Sequence, residues 1–336
     1  MSNLTYKVKH GADLTEELSK AYKVAMFAVK TRSRSSADVK HLGLKSAIAN
    51  QILKKYSCNK KIKQVKSVKL TVPGQGVKLN SDNLYVSCLK LKIPFAEEVL
   101  KINQVELDTT YAYVTCTVFD TPETVPDGYI GIDRNATGHI AVAACDSTVL
   151  KLGKDASHIK KKYYKIRKKA QKRGAYRFVK KLKDKESRII RDINHKISRK
   201  IVNTAAAAGK GIKLEQLHGI RKPKQKRNKG KNFNRTMSNW SFYQLEQFIL
   251  YKARLLGVKV SFVAPYMTSQ TCSKCGLKGI RKGKVFACFC GHNDHADANA
   301  AFNIAKAPIL RDPSTVDRDA VESTSGSARE ALSECA

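Results

Sequence analysis

The 336-residue chain carries 64 Lys and Arg against 28 Asp and Glu, a formal net charge of +36, and 42% of it is hydrophobic. That share fills a sizeable core and the length fits one large or two to three small domains, while no apolar run approaches the roughly 18 residues of a membrane span and MSNLTYKVKHGADL lacks the apolar centre of a signal peptide. The expected location is cytoplasmic, nucleoid-associated in a prokaryote.

The charge is uneven. Residues 151–235 hold 31 Lys and Arg against 5 Asp and Glu, whereas residues 1–127 hold 20 against 12. A concentrated positive segment is the footprint of a nucleic-acid binder, whose cations displace counterions from phosphates. The alternative is a lysine-rich solvated surface.

In chain order, LTYKVKH alternates as a strand and residues 13–30 read as an amphipathic helix with Leu18, Ala21, Val24 and Ala25 on one face. Residues 37–56 read as a second helix. VKSVKLTV, LYVSCLKLKIP and TYAYVTCTVF are β-branched and aromatic strand runs. Residues 1–126 are therefore expected to form a β-barrel-like domain with a helical insertion over about 12–57. TPETVPDG is a turn-rich connector. YIGID and HIAVAAC follow as consecutive hairpin-linked strands. Residues 156–208 read as long Lys/Arg-rich helices broken near Gly174, with Leu182, Ile189, Ile193, Ile197 and Ile201 forming a narrow apolar stripe. GIKLEQL is a strand, and RKPKQKRNKGKNFNR a basic loop. Residues 238–257 read as a helix capped by Ser238, with Phe242, Leu245, Ile249 and Leu256 on its apolar face, ended by Gly257. VKVSFVAP is a strand and DANAAFNIAKA a helix that Asp297 can cap. Residues 308–336 are expected to be a disordered tail.

Nine cysteines, an odd number, argue against a disulfide framework. Cys58, Cys88, Cys116, Cys145 and Cys335 are scattered. Cys272, Cys275, Cys288 and Cys290 form a C-x2-C pair and a C-x-C pair, and Gly276 and Gly291 suit the tight turns of such sites. Four thiolates favour a closed, structural, tetrahedral zinc site. Free core thiols and an iron–sulfur cluster are the alternatives, and His292 and His295 lie close enough in sequence to replace a thiolate.

Asp133 ends an apolar strand, Glu215 sits in another, and Asp297 opens a helix. A carboxylate in a core strand is costly to bury unless it is paired or binds metal. Hard oxygen ligands select magnesium or manganese, and phosphodiester cleavage can use two such ions. Each acid can also be a satisfied structural carboxylate, and Asp146, Asp155 and Asp294 remain possible ligands.

YIGIDRN, IKLEQLHGIR, NWSFYQL, FVAPYMTSQTCSKCG and FACFCGHNDHADANAAFNI, in that order over residues 127–307, resemble the successive blocks of the TnpB family. These are transposon-encoded RNA-guided DNA endonucleases related to the type V CRISPR effectors. The resemblance implies an α/β fold: an RNase H-like RuvC nuclease domain (127–268 and 294–307) with an inserted zinc-binding module (269–293), preceded by a β-barrel wedge domain with a helical insertion. It implies Asp133, Glu215 and Asp297 as catalytic, magnesium- or manganese-binding residues, and Cys272, Cys275, Cys288 and Cys290 as zinc ligands. It further implies a guide RNA from the element's end and double-stranded target DNA with a short adjacent motif. Lys160, Lys161, Lys162, Lys165, Arg167, Lys168, Lys169, Lys172, Arg173, Arg177, Arg221 and Lys222 are the candidate nucleic-acid contacts. Arg134 and Asn135 after the first aspartate, and C-x-C in place of C-x2-C, depart from many relatives. Competing readings are a nuclease-silent RNA-guided repressor, a miniature type V CRISPR effector, a plain zinc-containing nucleic-acid-binding protein and a strand-joining transposase.

Overall fold

The structure is a computed structural model and describes residues 1–59, 62–217, 230–238 and 240–310. The expected tail beyond 310 and most of the basic loop, with Arg221 and Lys222, lie outside the described residues. The chain divides into two units, Met1–Asp120 and the residues from Thr121 onward.

The first unit contains β1 (Ser2–Lys9), α1 (Thr15–Thr31), α2 (Ser46–Ser57), β2 (Leu70–Pro73), β3 (Val77–Asn80), β4 (Asn83–Val86), β5 (Leu91–Pro94), β6 (Lys101–Leu107) and β7 (Tyr111–Val118). Burial alternates residue by residue along β7, so one face of its sheet meets the core and the other does not. The antiparallel order is β1-β7-β6-β2, and β3-β4-β5 form a separate sheet. Helices α1 and α2 pack together through Ala21, Val24, Ala25, Ile48 and Ile52, all essentially without exposure.

Three sequence expectations change here. No closed barrel forms among the described residues: both sheets are open, and β2 is a short edge strand ending in Pro73, which has no N–H to donate. Residues 37–56 are not one helix. A 3-10 turn over Ala37–Leu42 ends at Gly43, whose φ of +67° breaks the path before α2. Nor is LYVSCLKLKIP one strand, because a 3-10 turn over Ser87–Leu89 folds it into the β4–β5 hairpin.

The second unit contains β8 (Tyr129–Arg134), β9 (Ala141–Cys145), β10 (Thr148–Leu152), α3 (Asp155–Lys172), α4 (Tyr176–Ala207), β11 (Gly211–Glu215), α5 (Lys231–Ser238), α6 (Phe242–Leu255), β12 (Val260–Val263), β13 (Ile280–Lys282), β14 (Val285–Ala287), β15 (Asn293–His295) and α7 (Ala296–Lys306). Its main sheet runs β10-β9-β8-β11-β12. Strands β8 to β10 are antiparallel neighbours, while β11 pairs parallel with both β8 and β12. Strands β13-β14-β15 form a small separate sheet.

The helix break expected near Gly174 is present, at φ +68° between α3 and α4. The helix expected over 238–257 is two: α5 ends at Ser238, and α6 starts after Ser241, so Ser238 is not its cap. Leu256 falls just past α6 and is 40% exposed. Asp297 does not cap α7 either. That place belongs to His295, whose Nδ1 accepts from the Asp297 N–H.

The two faces of the main sheet are covered differently. Ile130, Ile132, Ile212 and Leu214 point into a core with Ile190, Ile197, Ile201, Leu245 and Ile249 from α4 and α6. The intervening residues face α7. Gly131 lets that helix come close: a Cβ there would lie 2.1 Å from the Ala301 carbonyl oxygen and 2.3 Å from the Ala305 nitrogen. The small residues Ala298, Ala300 and Ala301 on α7, each at most 2% exposed, complete the contact. Lys213, from the same face of β11, donates from Nζ to the carbonyls of Ala305 and Ala307 at 2.9 and 2.7 Å, neutralising the negative end of α7.

Gly131→Ala should therefore lower unfolding stability by about 3 kcal/mol, because backbone rather than a movable side chain occupies the space. Gly230→Ala, with nothing within 4 Å of the added atom, should change it by less than about 0.5 kcal/mol. Urea midpoints of the two variants check this.

Candidate active site and cysteine cluster

Register puts the first two carboxylates side by side. Parallel pairing matches Lys213 with Gly131 and Leu214 with Ile132, so the next residue along each strand is Glu215 and Asp133. The period of two then turns both toward the α7 face. Asp297, in the first turn of α7, is fully buried. Glu215 Oε1 accepts from the Thr268 hydroxyl at 2.5 Å, and Asp133 Oδ2 accepts from Asn135 Nδ2 at 3.0 Å.

Burial, then the negative charges of Glu215 and Asp297, push the Asp133 carboxyl up to about 7, against the opposing pull of Asn135 and Arg281. Two cations reach Asp297 from the β13–β14 hairpin: Arg281 at 3.0 Å and Lys284 on the other oxygen. Three acids thus share two cations, and the surplus negative charge keeps Asp133 protonated toward neutrality. A site of this composition suits a divalent cation held through oxygen.

The next arginine has a different task. Arg134 is buried, pairs with the buried Glu246 of α6, and donates to the Glu215 carbonyl, tying β8, β11 and α6 together behind the carboxylates. Of the other possible ligands, Asp146 pairs with Lys210, Asp155 is exposed at the start of α3, and Asp294 accepts from the His295 N–H.

The four cysteine sulfurs all lie within 4.8 Å of one another, and among the described residues they are the one His/Cys/Asp/Glu group that converges on a single ion position. Cys272 and Cys290 are 3.8 Å apart, Cys275 and Cys288 3.5 Å. Tetrahedral zinc with bonds of about 2.3 Å needs sulfurs about 3.8 Å apart, so the quartet could hold a zinc ion. Burial raises the Cys272 thiol, but backbone N–H groups of Cys275 and Lys274 and the neighbouring sulfurs outweigh it and bring the thiol down to about 7. His292 lies against Ser273 and His295 caps α7, so neither histidine joins the quartet.

Helix α7 links the two centres. Asn299 accepts from the Ser273 N–H at 2.8 Å and donates to the Thr271 carbonyl, Asn303 donates to the carbonyls of Thr268 and Thr271, and Lys306 donates to that of Ser273. The segment carrying Thr268 and Cys272 is thereby fixed to the helix carrying Asp297. Thr268, Asn299, Asn303, Arg281 and Lys284 are absent from the sequence-derived site. The two asparagines had a usable signal, four residues apart in an otherwise apolar helix; the hairpin cations had none.

Of the candidate polyanion contacts on α3 and α4, Lys161, Lys162, Lys165, Lys168, Lys169, Lys172, Arg173 and Arg177 are exposed. Lys160 and Arg167 are partly buried in a cavity of about 650 Å³ that Tyr176 also lines, and Arg167 pairs with Glu186.

The profile of the Cas12f1-like TNB domain matches residues 242–304. That span holds α6, the cysteine quartet and Asp297. The CRISPR-associated endodeoxyribonuclease Cas12f1 of Sulfoacidibacillus thermotolerans is 41% identical over 132 residues, 38% of this chain and 29% of that protein. A TnpB-like protein of Methanocaldococcus jannaschii is 34% identical over 162 residues, 47% of this chain and 58% of that one. Over these stretches the chain is similar to TnpB/Cas12f-type proteins. Each match spans less than two thirds of the relative's length. A cryo-EM Cas12f1–sgRNA–target DNA complex aligns over 91% of this chain and 99% of that chain at 18% identity, with a TM-score of 0.44. Among the described residues no helix is long and apolar enough to cross a membrane.

The raised Asp133 value sets a pH dependence for the metal-free chain. A carboxyl whose folded value exceeds its unfolded value of about 4 contributes stability below pH 4 that is lost as pH rises toward 7. Asp133→Asn should remove that loss, on the order of 4 kcal/mol above pH 7. Chemical denaturation in chelator across pH 4–8 reads the difference, and parallel wild-type and variant curves would contradict it.

Proposed function

We propose that the chain is an RNA-guided DNA endonuclease with a RuvC-type carboxylate site on an RNase H-like sheet. The observation that carries this reading is the adjacency of Asp133 and Glu215 on parallel strands, electrostatically coupled to buried Asp297. The mixed five-stranded sheet supports it, as do relatives named endodeoxyribonucleases.

Asp133, Glu215 and Asp297 would hold magnesium or manganese, which supplies activation of a water and stabilisation of the leaving oxygen. The chain's own residues do the rest. Thr268 orients Glu215, and Asn135 orients Asp133. Arg281 and Lys284, now spent on Asp297, are positioned to meet a phosphate once divalent charge satisfies that acid. The cysteine quartet would hold a structural zinc, giving a short segment the cross-link its own apolar content cannot provide. The exposed lysines of α3 would follow the backbone of a guide RNA and its DNA hybrid, base pairing would read sequence, and the protein a short adjacent motif.

RNA recovered with the protein should be one defined species ending in a variable guide, and the complex should cut matching DNA with magnesium. Asp133→Ala should lower cutting roughly a thousandfold or more while leaving RNA affinity near wild type; retained cutting would refute the site. Purified protein should carry about one zinc by native mass spectrometry, lost together with thermal stability in Cys272→Ser/Cys288→Ser.

A further inference from the structure

Where α4 crosses α6, a cleft of about 450 Å³ is lined by His195, Lys196, Arg199, Lys200, Tyr251 and Lys252. No acid lines it. The nearby Asp192 is paired with Lys196 at 2.8 Å.

Lys252 is the decisive residue. It is 2% exposed, and its Nζ donates to the His195 carbonyl and the Ser198 hydroxyl, both at 2.6 Å. Both partners are neutral, and among the described residues it has no carboxylate partner. An ammonium has three donors, so one remains after these two. Burying such a charge uncompensated is strongly unfavourable, and burial, reinforced by Arg199, pushes Lys252 down to about 8. The surroundings are rigid. The His195 ring stacks on Phe248 at 3.8 Å and 16°, and the Tyr251 and Phe248 rings lie 5.6 and 5.8 Å from Nζ. A fixed, buried, unneutralised cation in a basic cleft lacks one component, an anion.

The surface beyond the cleft indicates what kind. Arg188, Arg191, Lys196, Arg199 and Lys200 are all exposed along α4. From Arg188 to Lys200 the helix rises roughly 18 Å, a length over which one strand of a duplex presents about five phosphates. A row of that length fits a polymer better than a single small anion.

We propose that the α4–α6 cleft seats a backbone phosphate of a bound polynucleotide, with Lys252 as its buried donor and Arg199 and Lys200 at its rim. The seat rests on the reading of the chain as a polynucleotide binder. It adds a second backbone contact, separate from the α3 lysines and from the carboxylates.

The test is binding of the full chain to a labelled single-stranded RNA of mixed sequence, by fluorescence anisotropy over a salt series. Arg199→Gln/Lys200→Gln changes only exposed side chains. It should weaken binding roughly tenfold and flatten the log K against log salt slope by about 1.4, two contacts at about 0.7 each. Lys252→Met should keep or raise the melting temperature of the free protein while weakening RNA binding several-fold. Inorganic phosphate, added at the RNA's phosphate concentration, should not reproduce the RNA's rise in melting temperature.

Unchanged affinity and slope in the double variant overturns the seat. A wild-type melting rise with inorganic phosphate equal to that with RNA, lost in Lys252→Met, reassigns the cleft to small phosphates and also overturns it. A wild-type chain that binds no polynucleotide removes the parent reading along with the cleft; normal binding by the variants removes the cleft alone.

Discussion

The contact of α7 with β8 through Gly131 is the constraint on which the second unit depends. With no side chain at that position, helix backbone sits against strand backbone. Closeness of that kind brings Asp297, in the first turn of α7, to the strand ends that carry Asp133 and Glu215. It also lets Asn299, Asn303 and Lys306 grip the segment leading into the first cysteine pair. A larger residue at 131 would displace an acid, a cysteine-bearing turn and the Thr268–Glu215 hydrogen bond together.

The charge distribution follows from the same layout. Positive charge is spread over exposed faces of α3 and α4, while the unbalanced negative charge is confined to a buried cluster. Under the proposed function, the outer charge would attract a polyanion at long range and the inner carboxylates a divalent cation through oxygen. Arg281 and Lys284 lie outside the basic segment in sequence and join the carboxylate cluster by contact. The buried Arg134–Glu246 pair serves neither, since its charges cancel locally and its hydrogen bonds hold the strand ends in register.

Much of this was legible in the sequence, for identifiable reasons. Period-two alternation located β1, β-branched and aromatic runs located β7, an apolar run located β8, and an acid at the end of an apolar strand marks itself by its cost. The four-cysteine spacing announced a metal-type cluster because thiolates converge from tight turns. What was illegible depends on long-range pairing. Nothing local sets Glu215 level with Asp133; that requires a parallel partner some eighty residues away. The open sheets of the first unit were missed because strand periodicity is the same in a barrel and in an open sheet. Helix edges moved where one backbone torsion decides, at Gly43 and again at Ser241. Lys252 was readable in hindsight as a charge on the stripe that also holds Leu245 and Ile249.

The carboxylate oxygens of Asp133, Glu215 and Asp297 do not converge on one ion position while Arg281 and Lys284 hold Asp297, and the proposed function requires that the three acids take a divalent metal. Anomalous diffraction from crystals of the full chain soaked in manganese tests it most directly. The account predicts manganese density bridging these three carboxylates, with Arg281 and Lys284 withdrawn from Asp297. Fully occupied manganese elsewhere, with both cations still on Asp297, would contradict it.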